Sequence, residues 1–256
     1  MVLKAQIEIR HLTKAYGSKT QECEAVSDIS LDIFHQEFVA FVGPSGCGKS
    51  TVLNMIGGII PPSSGTIFIE GCVVNGIPPQ VGFIFQKDTV FPWRTVHENL
   101  RLGLEYLSLS KSEKEERIAQ AIDLAGLNGF ERTFPIALSG GMRQRVALLR
   151  SLLVNPKILL MDEPFGALDV HTKIRLQKEL LELWRQKRQT VLFVTHDLEE
   201  ALTLADKIVV FTRRPGKVKL IYDVALPRPR DPIHIRETRE FAEEYRKLWK
   251  VLGEEF

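Results

Sequence analysis

No apolar run in this sequence approaches the ~20 residues that a bilayer crossing requires, so work at a membrane would need attachment through another subunit. Cysteine is scarce. Cys23, Cys47 and Cys72 are too few and too scattered for a disulfide framework or a zinc site, and they suit a reducing cytoplasm. Net charge is almost absent as well: 34 basic and 32 acidic side chains leave +2, which provides no overall field for nucleic acid. Internal repeats and low-complexity tracts are missing. Residues 1–10 mix charged and apolar side chains, so no secretory leader is expected. What remains is 44% apolar and 26% charged, ordinary for a soluble globular protein. At 256 residues the chain suffices for one large domain, or one domain with an inserted lobe.

Against that plain background one octet stands out, Gly43-Pro44-Ser45-Gly46-Cys47-Gly48-Lys49-Ser50. It fits G-x-x-x-x-G-K-[ST], the phosphate-binding loop. Phe38-Val39-Ala40-Phe41-Val42 before it is a short apolar run of strand type. Thr51 to Ile56 after it can continue as a helix until Gly57-Gly58 stops it. Strand, glycine loop and helix together form the context the motif needs. Glycines let the loop curl with its N–H groups inward, and the helix start adds partial positive charge. Lys49 supplies a point charge for the β- and γ-phosphates, and the Ser50 hydroxyl can ligate Mg²⁺. The chain is therefore expected to bind a nucleoside triphosphate.

Strands surround this loop in the first third. Ile7 to Arg10 and Val26 to Ile33 alternate apolar and polar residues, as half-buried antiparallel strands do. Thr66 to Glu70 follows the turn signal Pro61-Pro62-Ser63-Ser64-Gly65 and reads the same way. From Thr95 to Leu127 the pattern becomes helical. Ser112 with Glu115 is a candidate capping box, and Leu124 and Leu127 close that apolar stripe. Ile158 to Met161 and Val191 to Val194 are wholly apolar, as expected of parallel strands covered on both faces. A helix between them carries Ile174, Leu176, Leu180, Leu181, Leu183 and Trp184, and strands follow at Ile208 to Phe211 and Leu220 to Tyr222. Pro227-Arg228-Pro229-Arg230-Asp231-Pro232 reads as a stiff extended linker. The closing amphipathic helix presents Phe241, Tyr245, Leu248, Trp249 and Leu252 for packing.

Chemistry beyond phosphate binding begins where Ile158 to Met161 runs into Asp162-Glu163. A strand ending in a carboxylate places Asp162 beside the phosphate loop, where it can hold Mg²⁺. Glu163 can accept a proton from water attacking the γ-phosphorus. His196 follows the strand tip at Val194-Thr195. A lone histidine there is more often structural, but the phosphate loop and the acidic pair favour reach to the γ-phosphate, since ligands gather at the carboxyl ends of strands. Ser139-Gly140-Gly141 opens the helix Met142 to Leu153 and reads either as an ordinary N-cap or as a second anion site. One chain with two phosphate-cradling helix starts suggests a dimer in which each start completes the partner's site.

With these residues the chain resembles the ATPase subunits of ABC transporters. Leu138-Ser139-Gly140-Gly141-Met142-Arg143-Gln144-Arg145 is similar to the family's signature, with Met142 where the broad consensus has glutamine, and the motif order matches over about residues 5–225. The resemblance implies an α/β fold: a P-loop NTPase core with a mostly parallel sheet, an antiparallel β lobe and an inserted helical lobe. It divides a single ABC ATPase domain, 1–256, into core and β lobe (1–86 and 141–225), helical lobe (87–140) and a C-terminal linker with amphipathic helix (226–256). It implies that Tyr16 stacks on adenine and that Gly43, Pro44, Ser45, Gly46, Cys47, Gly48, Lys49, Ser50 and Thr51 hold the ATP phosphates. Ser50, Gln86 and Asp162 would serve Mg²⁺, and Glu163, His196, Gln86 and Lys49 would act in hydrolysis. Ala167-Leu168-Asp169 resembles the D-loop, and Ser139, Gly140 and Gly141 would contact the γ-phosphate of the opposite copy.

The segments Phe91-Pro92-Trp93-Arg94-Thr95-Val96, Asp162 to Asp169, Arg214-Pro215-Gly216-Lys217-Val218 and Leu226-Pro227-Arg228-Pro229-Arg230 are similar to the nitrate/sulfonate/taurine importer branch. The expected partners are a second copy, integral membrane permease subunits and, indirectly, an extracytoplasmic solute-binding protein, with no nucleic acid. The expected place is the cytoplasmic face of the inner membrane, held peripherally. Phe91 and Trp93 read equally as permease contacts or as core. A soluble ATPase acting on DNA or the ribosome is the rival reading; such proteins usually carry coiled-coil insertions or a second cassette, and this sequence has neither.

Overall fold

Two sheets share one hydrophobic interior, and the way they do so fixes where the functional residues stand. A computed structural model describes residues 4–18, 21–87, 89–166 and 168–253. The chain opens with a long antiparallel hairpin, β1 (Ala5–Ser18) and β2 (Gln21–Phe34), then enters β3 (Phe38–Val42) and α1 (Lys49–Ile56). β4 (Ser64–Ile69), β5 (Cys72–Val73) and β6 (Val81–Ile84) come next. Three helices follow: α2 (Val96–Leu102), α3 (Lys111–Leu124) and α4 (Gly140–Leu153). The second half alternates β7 (Ile158–Asp162), α5 (Val170–Lys187), β8 (Thr190–Val194), α6 (Leu198–Leu204) and β9 (Lys207–Phe211). β10 (Val218–Asp223) and α7 (Arg239–Gly253) close it.

The four-stranded sheet has the order β2-β1-β4-β5 and is antiparallel where paired; the six-stranded sheet has the order β10-β9-β3-β8-β7-β6 and is parallel except for its β10 edge. β3, β7 and β8 are buried at every position, which is why they read as unbroken apolar runs. Alternate residues of these strands feed two different cores. Phe38, Ala40, Leu159, Met161, Val191 and Phe193 face α5, α6 and α7. Val39, Phe41, Ile158, Leu160, Leu192 and Val194 face α1 and the antiparallel sheet, whose Ile7, Ile9, Ile67 and Ile69 complete that layer. A third cluster joins α2, α3 and α4 through Val96, Leu100, Ile118, Ile122, Val146 and Leu149. α4 belongs to both sides, since its Leu148 lies in the first core while Val146 and Leu149 lie in the third.

Three expectations need correction, and one is refined. The cap of α3 is Ser110 with Glu113, not Ser112 with Glu115: Ser110 Oγ accepts from the Glu113 N–H at 3.2 Å. Glu115 is taken instead by His97 Nε2 on α2, at 2.7 Å. The helical stretch from Thr95 is two helices, and Thr95 with Glu98 forms a capping box of its own. Residues 226–232 are not a free linker but a docked strap. Arg230, 6% exposed, donates to the carbonyls of Leu202, Ala205 and Leu226, and Arg228 donates to Leu204 O and Asp206 while lying 4.5 Å from the Trp184 ring centre. On α7, Phe241, Leu248 and Leu252 are buried, whereas Trp249 is 55% exposed and stacks on Tyr245 at the flank, about 100° round from Leu248.

Candidate functional site

Register brings the site together. Phe41 lies level with Val194, and Val194 with Asp162, so three adjacent strands end at one height. The phosphate loop leaves β3, His196 lies two residues beyond β8, and Glu163 lies one residue beyond β7. On the next strand Ile84 is level with Met161, which places Gln86 beside them.

The loop is built on glycines: all three have positive φ, and at Gly43 and Gly48 a side chain would also clash, whereas Gly46 faces open space. Gly43, Gly46 and Gly48 have φ of 152°, 75° and 101°. A Cβ on Gly48 would sit 2.3 Å from Val26 Cγ1 and 2.8 Å from the Ala25 carbonyl. Gly48 also stands as the N-cap of α1 with no side-chain cap, which leaves the first N–H groups of the helix for an anion. Ser45 and Gly46 form the exposed tip, and Thr51 is half-buried. Lys49, 6% exposed, folds over the loop, its Nζ donating to the Gly43 and Pro44 carbonyls at 2.8 Å each. Cys47 is buried beneath, its Sγ 3.7 Å from that ammonium, so the loop thiol is shielded rather than open to bulky reagents.

Ser50 Oγ donates to Asp162 Oδ1 at 2.8 Å. Burial pushes the Asp162 carboxyl up; the Ser50 bond and the Lys49 charge draw it back, and the adjacent Glu163 charge adds to the rise. Glu163 has a φ of 46°, and its N–H donates to Val194 O at 3.0 Å. That unusual backbone turns its side chain across the strand ends. Its Oε2 accepts from Gln86 Nε2 at 3.0 Å and its Oε1 lies 3.5 Å from His196 Nδ1. Asp162, Glu163, Gln86, His196, Lys49 and Ser50 thus form one cluster.

Tyr16 reaches the same end indirectly. It pairs with Cys23 in the hairpin, two residues from the Ala25 backbone that abuts Gly48. Its ring is 43% exposed, and Lys14 Nζ lies 5.3 Å from its centre. Ser139, Gly140 and Gly141 do not join the cluster. Ser139 Oγ accepts from Met142 N–H at 3.2 Å as the N-cap of α4, Ser139 and Gly140 are exposed, and the flanking Leu138 and Met142 pack in the helical cluster. Asp169 caps α5 through Thr172 N–H, and hydrogen bonding from Thr172, its hydroxyl first and its N–H next, holds the Asp169 carboxyl below the ordinary range. Ala167 lies outside the described residues.

Three residues were not identified as part of this site from the sequence. Gly216 seals the back of the loop, where a Cβ would meet Cys47 O at 2.0 Å. Gln144, buried on α4, donates to Pro164 O at 3.1 Å and steadies the turn after Glu163. Lys173 binds Asp197 and Glu200, just beyond His196. Gly216 and Gln144 each lie in a segment that carries the resemblance, Arg214 to Val218 and Leu138 to Arg145, but nothing in their spacing ties them to the loop or to the turn after Glu163, and Lys173 carries no signal.

Comparison with known proteins gives the family. The family model described as ABC transporter matches residues 26–166. An uncharacterized ABC transporter ATP-binding protein of Methanocaldococcus jannaschii is 42% identical, covering 99% of this chain and 93% of its own length. An aliphatic sulfonates import ATP-binding protein of Bacillus cereus is 40% identical over 96% of this chain and 94% of its own. A nitrate import ATP-binding protein of Synechocystis is 42% identical over 86% and 83%. A dimeric structure of a post-hydrolysis state of an ATP-binding cassette bound to ADP and Pi superposes with a TM-score of 0.77, at 32% identity, covering 86% of this chain and 100% of that one.

Proposed function

The chain belongs to the ABC transporter family and is an ATPase, and on that premise we propose that it powers import of a small anion, a sulfonate, nitrate or similar solute, through separate permease subunits. The observation that carries the catalytic part is the cluster at the strand ends: Asp162 held by Ser50, then Glu163 between Gln86 and His196. In this reading Tyr16 stacks on the adenine, and Lys49 with the loop N–H groups holds the phosphates. Glu163 takes the proton of the attacking water, and His196 orients the γ-phosphate.

The donor set fits Mg²⁺, since Ser50, Asp162 and Gln86 offer hard oxygens beside the loop. Bound there, the ion would neutralise phosphate charge. Ser139, Gly140 and Gly141 serve the site of a second copy, which agrees with the exposure of Ser139 and Gly140 and with the separation of all three from this chain's own cluster. ATP then bridges two copies head to tail, and its hydrolysis releases them.

Among the described residues no helix is long and apolar enough to cross a membrane. The permease then docks from outside, and exposed apolar side chains suit it: Phe85, beside Gln86 in the chain, is 40% exposed, and Trp93 and Tyr106, further along the chain, are 70% and 90% exposed. In this reading the protein sits peripherally on the cytoplasmic face of the inner membrane, with a solute-binding protein feeding the opposite side. Proteoliposomes carrying a sulfonate or nitrate permease that binds this chain provide the test. ATP-dependent uptake of a labelled sulfonate or nitrate, lost with Trp93→Ala while the soluble chain keeps its ATPase activity, is expected. Equal uptake without the chain would refute it.

A further inference from the structure

We propose that Lys173 is a positioning residue for His196, a role that rests on the reading of His196 given above. Lys173 lies in the first turn of α5, its N–H bonded to the carbonyl of the capping Asp169 at 2.9 Å. Its Nζ lies 2.7 Å from Asp197 Oδ2 and 2.5 Å from Glu200 Oε1. The other Glu200 oxygen accepts from Thr195 Oγ1 at 2.6 Å, and Thr195 Oγ1 accepts from the Asp197 N–H at 3.0 Å. Asp197 Oδ1 caps α6 by accepting from the N–H groups of Glu199 and Glu200, at 2.9 and 3.2 Å. Every bond in this closed set falls on a residue immediately beside His196 or on the helix that follows it. His196 itself stands outside the set, with its ring turned to Glu163.

The set depends on one cation. Glu200 is buried, with a side chain only 5% exposed, and a single ammonium serves both carboxylates. Burial pushes the Glu200 carboxyl up, against the bonds from Lys173 and Thr195. For Lys173 burial works downward, but the bonds to Asp197 and Glu200 outweigh it and hold the ammonium above its ordinary value. Without that charge the two carboxylates face each other uncompensated, and they must part or take up a proton. Either change pulls on Thr195 or Asp197, and so on the backbone that aims His196. The same lysine ties α5, and with it Asp169, to the histidine loop.

The test uses the full chain with Mg-ATP. Lys173→Met is expected to lower kcat about 10-fold with KM for ATP changed less than about 2-fold, the mark of misplacement rather than lost binding. Lys173→Arg should recover most of that loss. In a His196→Ala background Lys173→Met should cost less than about 2-fold, because the group it positions is gone. The His196 ring resonance, assigned by its disappearance in His196→Ala, should broaden or split in Lys173→Met. Equal losses in both backgrounds, or an unchanged ring resonance, would overturn the proposal. Should Lys173→Met melt below the assay temperature, Thr195→Val replaces it with the same expectations, since it breaks the set without unpairing a charge. If His196→Ala alone leaves turnover intact, the catalytic reading of His196 fails, and the ring resonance still decides the placement by Lys173.

Discussion

Arg230 offers a sharp check on how the second half of the chain is held. Its guanidinium, with a side chain only 1% exposed, donates to Leu202 O at 3.0 Å, Ala205 O at 2.6 Å and Leu226 O at 2.8 Å. Two of these acceptors lie at the C-terminal end of α6, where carbonyls lack helical partners. Burial lowers the Arg230 pKa to about 10, and the neighbouring Arg228 charge adds to that, so the charge itself is costly where it sits. Arg230→Met relieves that cost but leaves three buried carbonyls unsatisfied. Each costs about 1–3 kcal/mol, about 3–9 kcal/mol for the three, and relief of the buried charge offsets part of that, so a net loss of about 3–4 kcal/mol is expected. For a chain of this size that lowers Tm by roughly 6–16 °C. Scanning calorimetry of both proteins at one scan rate measures it. A drop below about 3 °C would refute the argument that the strap is part of the core.

Other outcomes follow from the site. Glu163→Gln keeps the shape that meets Gln86 and His196, so nucleotide affinity should hold while kcat falls about 10²- to 10⁴-fold; a turnover within about 3-fold of wild type would remove Glu163 as the base. Asp162 is held above its ordinary pKa, so it costs no stability below its unfolded pKa, an increasing amount as pH rises from there, and the full amount above its folded pKa. Asp162→Asn should therefore raise Tm at pH 7 but not near pH 3, while Mg-dependent ATPase activity is lost; a lower Tm at pH 7 contradicts this. Cys23 and Cys72 are exposed and Cys47 is buried, so a thiol reagent should modify the first two quickly and Cys47 only on unfolding, as read by peptide mass mapping.

Much of this was legible because the chemistry is local in sequence. The loop from Gly43 to Ser50 and the pair Asp162-Glu163 are contiguous, and the apolar runs before them admit little but buried parallel strands. Two overlapping S-x-x-E patterns could not be separated by spacing; Glu115 was decided by His97, a partner 18 residues away. Pro227 to Pro232 reads as linker because prolines and arginines favour extended, solvated chain, and only the carbonyls of α6 make Arg230 a buried group. Lys173 was invisible for the same reason, since its partner Asp197 lies 24 residues on. Pairings between distant elements are what periodicity and motif spacing leave out.

The central claim is that two copies close over shared ATP, each lending Ser139 to Gly141 to the other's phosphates. Sedimentation of the Glu163→Gln chain with Mg-ATP tests it most directly. A species of twice 29.0 kDa with ATP, reverting to 29.0 kDa with ADP, is predicted. A chain that stays at 29.0 kDa with saturating Mg-ATP, and gains no pairing when the permease subunits are added, would contradict it.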